Sequence, residues 1–479
     1  MSSTLYAGVA RRVINPEIGT AMGGLRLFSS PIQAIESDLT GTVLVLSNQA
    51  TKVAIAALDL AVFSPSEGLA MRERMGNAIG VPAANVMLNL SHNHSSPCLP
   101  KWVPDTDEQI RLKSRYRDNL SDWLVEAVQE ADSRLQPARI GAGWGESDIG
   151  IYRRETGTDG RDVLGEVPDH PIDTSVGVVR VDDLNGNPIA VLFSYGCHPV
   201  TVGPRSMVAS TDFPGPAREV LEKCLGTTAI FLQACGGNIN PRPGIGYEVD
   251  CRDVKGRIGM ALGGEALRVA SGIRTHLEPG DRIPLGNVPN ILFRPWRSAQ
   301  GDTCTYLGAV EETIGLEFGN LPTPEEAGRI RDQWSAELER RKAGNARQWE
   351  IRVAARFAEW SENLLAAAEA DHPTLDLEAQ AIRVNDIVLV GMNMEIFFET
   401  GLAIKERSPL KHTLPLGYTN SSVSYLPRKV DYPEGGWQLG EIYHVPDLLF
   451  QSYGVPVAPR PDAEEIVVDR VSALIRKLA

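Results

Sequence analysis

His92 and His94 stand two residues apart, just after the apolar run Val86–Leu90. In extended chain that spacing puts both imidazoles on one side. Such a pair suits zinc or another borderline metal, with Zn–N bonds of about 2.0–2.1 Å. His198 follows a second apolar run, Ile189–Tyr195, and precedes Pro199. Glu395 lies beyond a third, Ile387–Val390, where an ionised carboxylate is costly unless it is paired or bound to metal. Together these residues offer two or three nitrogens and one carboxylate. Three protein ligands plus water is the usual arrangement of a catalytic zinc, and water acidified to a pKa of about 7 is a nucleophile at neutral pH. Each residue also has an ordinary reading on its own: satisfied histidines at strand ends, and a surface carboxylate or helix cap at Glu395. Asp212 reads as a cap for the helix that follows it. The turn Gly236-Gly237-Asn238-Ile239-Asn240-Pro241 can aim backbone N–H groups at an anion, or be a plain tight turn.

The elements that must position these groups are legible as apolar runs and caps. Thr42–Leu46 and Val53–Leu58 predict a hairpin through Ser47–Thr51. Ser64-Pro65-Ser66-Glu67 predicts a helix start, with Gly80 closing the helix. Val86–Leu90 predicts a strand, Asp107 to about Leu135 a long amphipathic helix, and Val178–Val181 with Ile189–Tyr195 two strands joined through an Asn-Gly turn. Phe213–Leu225 reads as helix, Ala229–Leu232 as a buried strand, Ala381–Val384 with Ile387–Val390 as another hairpin, and 462 to 478 as the last helix. Pro324 to about Ala370 predicts a helical pair broken near Gly344. From about 278 to 320 no pattern emerges. Alternation of strands and helices predicts an α/β (mixed α+β) fold, with mixed sheets packed centrally and helices flanking them. Ligands in such folds bind outside the carboxyl ends of strands. Five polar clusters follow strand-like runs, at Ser91–Ser95, Gly196–Pro199, Gln233–Pro241, Gly391–Glu395 and Thr419–Tyr425, and are expected to converge on one rim.

Composition narrows the function classes. The chain has 479 residues, 43% apolar and 23% charged, which excludes disorder and coiled coil for its bulk. Asp and Glu number 61 against 47 Lys and Arg, a formal charge of −14 with no basic block. That argues against nucleic acid and against anionic membrane. No apolar run approaches the roughly 20 residues that span a bilayer, so no stable membrane insertion is expected. The first residues do not read as a secretory signal, and six cysteines without a CxxC read as mostly buried thiols in a reducing cytoplasm.

The order and spacing of the clusters resembles the neutral/alkaline non-lysosomal ceramidase family, in its zinc-bearing N-terminal domain. Ser91-His92-Asn93-His94-Ser95-Ser96-Pro97 is similar to that family's T-H-T-H-S-G-P, and Tyr195-Gly196-Cys197-His198-Pro199 to its A-V-H-P. Glu395 with Gly401 resembles E-F-T-T-M-A-G, and Tyr425–Tyr432 resembles Y-V-T-T-x-x-E-Y. The resemblance implies His92, His198, Glu395 and Tyr425 as zinc ligands and His94 facing substrate. It implies Arg153 as a substrate contact, and Tyr432-Pro433-Glu434-Gly435 as an echo of the family's Y-E-G. Two departures stand out. The family's catalytic serine, in G-D-V-S-P, aligns with Asn240, in Gly237-Asn238-Ile239-Asn240-Pro241. The expected organisation is a single catalytic domain over 1–479, with a helical insertion at about 323–371 and without the family's C-terminal β-sandwich.

The expected function is hydrolysis of an amide in a soluble small molecule by zinc-activated water. His94 serves as general acid/base, and Asn238, Asn240 and Tyr425 serve in catalysis. Arg153, Tyr432 and Asp212 are expected to bind substrate. An ester or lactone hydrolase, a carbohydrate-active enzyme using Asp212 with Glu395, and a non-catalytic metal-binding relative stay open as alternatives. Oligomeric state is not written in the sequence.

Overall fold

A computed structural model describes residues 4–23, 30–99, 106–158, 160, 162–242, 245, 252–432 and 453–479. Two sheets form its centre. The larger has eight strands, in the order Thr228–Gln233, Pro188–Tyr195, Ser175–Asp183, Gln136–Glu146, Leu5–Val13, Thr40–Ser47, Lys52–Leu58 and Val86–Leu90. Neighbours are antiparallel except the outermost pair at each end, which are parallel. The smaller has four strands, Leu307–Glu317, Thr374–Val384, Ile387–Met392 and His412–Leu416, and its last pair is again parallel.

The sheets pack face to face. Leu44, Ile55, Val179 and Leu192 of the larger meet Ile382, Leu389 and Leu414 of the smaller in one core. Helices Pro65–Ile79 and Asp107–Ser133 cover half of the larger sheet's other face. Pro214–Leu225 and Arg252–Gly272 cover the rest, and Phe398–Arg407 with Ala463–Leu478 cover the smaller sheet. The layers run helices, sheet, sheet, helices, the mixed α/β class expected. Strands buried on both faces need apolar residues at every position. Thr40–Ser47 is buried at all but its first residue, which is why it reads as an unbroken run.

Local chemistry sets the turns. Ser64 and Glu67 form the capping box that starts the first long helix, and Gly80 ends it at φ 73°. The Asp183 carboxylate accepts from the N–H groups of Asn185 and Asn187, while Gly186 takes φ 88°. The predicted helical pair is Pro324–Ala343 and Gln348–Glu369, joined at Gly344. Trp334 stacks on Phe357 between them at 4.4 Å, and Trp360 Nε1 donates to the Val455 carbonyl at 3.0 Å. Cys98, Cys197, Cys235 and Cys304 are buried and Cys224 is exposed; Cys251 lies outside the described residues. Among the described residues, no helix is long and apolar enough to cross a membrane.

One contact shapes the rim. The two edge strands of the larger sheet approach each other where their carboxyl ends lie. Asn89 Oδ1 accepts from the Gln233 N–H at 2.7 Å, and Asn89 Nδ2 donates to the Gly417 carbonyl at 3.0 Å. A single amide thus ties three strand ends together, two from the larger sheet and one from the smaller.

Candidate metal centre

The loops leaving Val86–Leu90 and its counterpart Pro188–Tyr195 bring the histidines together. His92 has φ +56°, a left-handed conformation that a residue with a Cβ seldom adopts. The pair therefore does not sit in extended chain, as its spacing predicted. A turn folds the two rings against each other, 4.8 Å between centroids and edge to face, with the Nε2 atoms 3.0 Å apart. His198 Nε2 lies 3.0 Å from Glu395 Oε2, and His92 Nε2 lies 3.5 Å from the same oxygen. One ring nitrogen from each of His92, His94 and His198 lies within 4.8 Å of the others, so this buried group could hold a metal ion. Tetrahedral bonds of about 2.0–2.1 Å put ligand atoms roughly 3.3–3.4 Å apart. The spacing fits one ion.

Backbone carbonyls orient the rings. His92 Nδ1 faces the Ala61 carbonyl at 3.0 Å, and His198 Nδ1 faces those of Gly236 and Ile239 at 3.0 and 3.1 Å. A carbonyl can only accept, so each Nδ1 carries the proton and each Nε2 presents a lone pair to the centre. Outer hydrogen bonds of this kind are what fix metal-binding imidazoles.

The charges agree. Burial, then the Arg153 charge, pushes the His198 pKa down to about 3. Burial lowers that of His92 as well, against the pull of Glu395. Both are neutral at pH 7, the form that binds metal. Burial works to raise the Glu395 pKa, but His92, His198 and Arg153 outweigh it and hold the carboxyl at about 2. Tyr418 donates to Glu395 Oε2 at 3.2 Å and Tyr453 to Oε1 at 2.5 Å. Burial, then Glu395 itself, drives the phenols of Tyr418, Tyr425 and Tyr453 well above their ordinary range, so all three stay protonated.

The other candidates fall at different distances from this cluster. Glu395 does not cap the helix that follows; Phe397 holds the cap position and Glu395 pairs with Tyr425 in a short parallel ladder. Arg153 is buried and spends its guanidinium on protein: the Gly237 carbonyl at 2.6 Å, the Asn240 amide oxygen at 3.2 Å and the Tyr425 hydroxyl at 3.2 Å. Asn240 and Tyr425 are thereby drawn to the centre. Asn238 turns away, donating to Glu399 at 2.8 Å and accepting from the Phe398 N–H at 3.1 Å. Asp212 accepts from the Val202 N–H at 2.8 Å and from the Thr201 hydroxyl, bracing the turn just after His198. Tyr432 donates to the Pro459 carbonyl at 2.7 Å, apart from the cluster, and Pro433, Glu434 and Gly435 lie outside the described residues.

Sequence reasoning missed Tyr418 and Tyr453. Tyr418 has φ +52° and lies parallel to His92 at 4.2 Å. Its position at a strand end, immediately before the cluster that contains Tyr425, was the available signal. Tyr453 stands in no motif.

One prediction follows for the metal-free protein. His198 and Glu395 both have folded pKa values below their unfolded ones, of about 6.5 and 4.3. Their contribution is whole above about pH 6.5 and is lost as pH falls, first through His198 and then Glu395. Stability is expected to drop by on the order of a few kcal/mol between pH 7 and 4. A urea midpoint that stays flat over that range contradicts the electrostatics described.

No protein-family model matches the chain. Neutral ceramidase of Pseudomonas aeruginosa is 22% identical over 395 residues, 76% of this chain and 57% of that protein. Neutral ceramidase A of Dictyostelium discoideum is 27% identical over 184 residues, 36% of this chain and 25% of the relative. The chain thus spans less than two thirds of the length of these relatives. The crystal structure of neutral ceramidase from Pseudomonas aeruginosa superposes with a TM-score of 0.66 at 18% identity, over 100% of this chain and 75% of that one. A ceramidase complexed with C2 gives 0.65 at 17% identity, over 99% and 76%. The fold is shared.

Proposed function

We propose that this chain, a relative of the neutral ceramidases in sequence and fold, hydrolyses the amide bond of an N-acyl compound with a zinc ion held by His92, His198 and Glu395. The observation that carries this reading is the donor set: His198 Nε2 at 3.0 Å and His92 Nε2 at 3.5 Å from one carboxylate oxygen, each ring locked from behind by a carbonyl. An ion there would supply a Lewis acid and a water acidified towards neutral pH.

The chain's own groups do the rest. Asn240 carries no hydroxyl, so water rather than a side chain attacks the carbonyl carbon. His94 Nε2, 3.0 Å from His92 Nε2, reaches the same space. It takes a proton from the attacking water and delivers it to the departing amine nitrogen, the general acid–base role that imidazole fills most often. Tyr425, kept protonated, is the donor placed for the developing oxyanion, and Arg153 holds its hydroxyl in position. Losing such a donor typically costs about 10²–10³ in rate.

Metal analysis of the purified protein tests the reading. About one zinc per chain is expected. A chelator should abolish hydrolysis across a panel of N-acyl amino acids, N-acyl amines and ceramides, and added zinc should restore it. Full hydrolysis by protein without stoichiometric metal overturns it.

A further inference from the structure

The segment that carried no pattern in the sequence holds the densest exposed apolar surface of the described residues. Leu277–Pro279 pairs with Trp296–Ser298 to form a base, and Ile283–Leu285 pairs with Val288–Phe293 above it. Residues 281–287 and 290–294 are all exposed, so the ribbon stands off the body. Leu285, Ile291 and Leu292 are about half exposed at 50%, 49% and 51%, and Ile283, Phe293 and Trp296 reach 40%, 41% and 48%. Large exposed apolar surface on a protein marks a surface that something covers.

Register says what kind of partner fits. Ile283 is opposite Phe293, and Pro284 is opposite Leu292. Side chains alternate along a strand. Ile283, Ile291 and Phe293 therefore share one face, while Leu292 with Pro284 occupies the other. A protein partner lying against the ribbon covers one face only. Pairing with a further strand is blunted too, because Pro284 and Pro289 lack the N–H that a ladder needs. A lipid surface covers both faces of an immersed tip at once.

Charge points the same way. From 274 to 298, Arg274, Arg282, Arg294 and Arg297 outnumber Glu278 and Asp281, on a chain whose net charge is −14. Arg274 stacks on Trp296 at 4.2 Å, and Arg282, Arg294 and Arg297 are exposed around the ribbon. Arginines beside Trp, Phe and Leu are the pattern of a segment that sits at a headgroup layer. Six residues of strand reach about 20 Å, beyond the Debye length of about 8 Å at physiological salt. The acidic body is therefore screened from an anionic surface that the tip can touch.

We propose that the 281–294 ribbon docks this protein reversibly on an anionic phospholipid surface, its apolar tip entering the headgroup layer and its arginines meeting phosphates. The expectation from whole-chain charge averaged this local reversal away.

Flotation with vesicles of phosphatidylcholine and phosphatidylglycerol tests it, and needs no hydrolysis, so it succeeds or fails independently of the proposed activity. The wild type is expected to float at low salt and to release at high salt. The double variant Leu292→Glu/Phe293→Glu should partition at least about tenfold less, with an unchanged melting temperature and zinc content. The triple variant Arg282→Gln/Arg294→Gln/Arg297→Gln should lose the salt dependence. Any of three results overturns the proposal. One is wild type that stays with the protein fraction at low salt; another is a double glutamate variant that floats like wild type. The third is a wild-type dimer in solution that the glutamates dissociate, without vesicle binding.

Discussion

Replacing His198 by alanine is expected to lower kcat/KM by roughly a thousandfold or more, about 4 kcal/mol of transition-state stabilisation, and to leave the purified protein nearly free of zinc. The size follows from what the ring touches. Its Nε2 lies 3.0 Å from Glu395 and its Nδ1 is held by two carbonyls. Alanine removes a metal ligand and leaves Glu395 a buried, ionised carboxylate with one fewer partner. A graded companion is Tyr418→Phe. It keeps the stack on His92 at 4.2 Å and loses only the hydrogen bond to Glu395 at 3.2 Å. Outer partners of metal ligands are typically worth about 10–100-fold in affinity or activity, so zinc competition with a chromogenic chelator should rank wild type, Tyr418→Phe and His198→Ala in that order. Wild-type zinc affinity in His198→Ala would remove this histidine from the site.

The largest stability effect is expected at Asp59. This carboxylate is fully buried and binds Arg218 through both oxygens at 2.8 Å, while also accepting from the Thr40 N–H and hydroxyl. Arg218 comes from the helix Pro214–Leu225, so the pair joins a flanking helix to the end of Lys52–Leu58. Two residues on, Ala61 offers the carbonyl that orients His92. Asp59→Ala strands a buried guanidinium and should cost about 3–5 kcal/mol, read from denaturant midpoints. Asp59→Leu combined with Arg218→Met, which removes both charges, should recover part of it. A loss below about 1 kcal/mol for Asp59→Ala alone would mean the pair is solvated in practice.

Much of the fold was legible because burial writes itself into sequence. Thr42–Leu46, Val53–Leu58 and Ile387–Val390 are covered on both faces, and their unbroken apolar runs announce it. Caps behaved the same way, since Ser64 with Glu67 and Gly80 satisfies backbone groups that any helix end leaves open. The stretch from 278 to 320 failed for the converse reason. Two short ribbons exposed on both faces carry no burial constraint and so no period, and the edge strand Leu307–Glu317 buries only Leu307, Ile314 and Leu316 fully, too few to stand out as an apolar run. At the centre, residue types at strand ends pointed to His92, His198 and Glu395. Backbone strain did not show: nothing in the sequence said that His92 and Tyr418 would adopt left-handed φ. Partners supplied by carbonyls, such as Ala61 and Gly236, leave no trace in side-chain identity. Tyr453 was invisible because a donor that arrives from a distant segment has no local pattern to belong to.

The separation of the donors along the chain also sets an order of events. His198 and Glu395 touch although they stand 197 positions apart in the chain, and the Asn420 side chain accepts from the Leu88 N–H at a separation of 332. At a synthesis rate of about 5–20 residues per second, the carboxylate emerges roughly 10–40 s after the histidine it pairs with. For that interval the histidine loops exist without the acid that completes the cup. On the proposed zinc reading, a nascent chain is thus expected to compete poorly for the ion, with loading only after the second sheet has closed over the first.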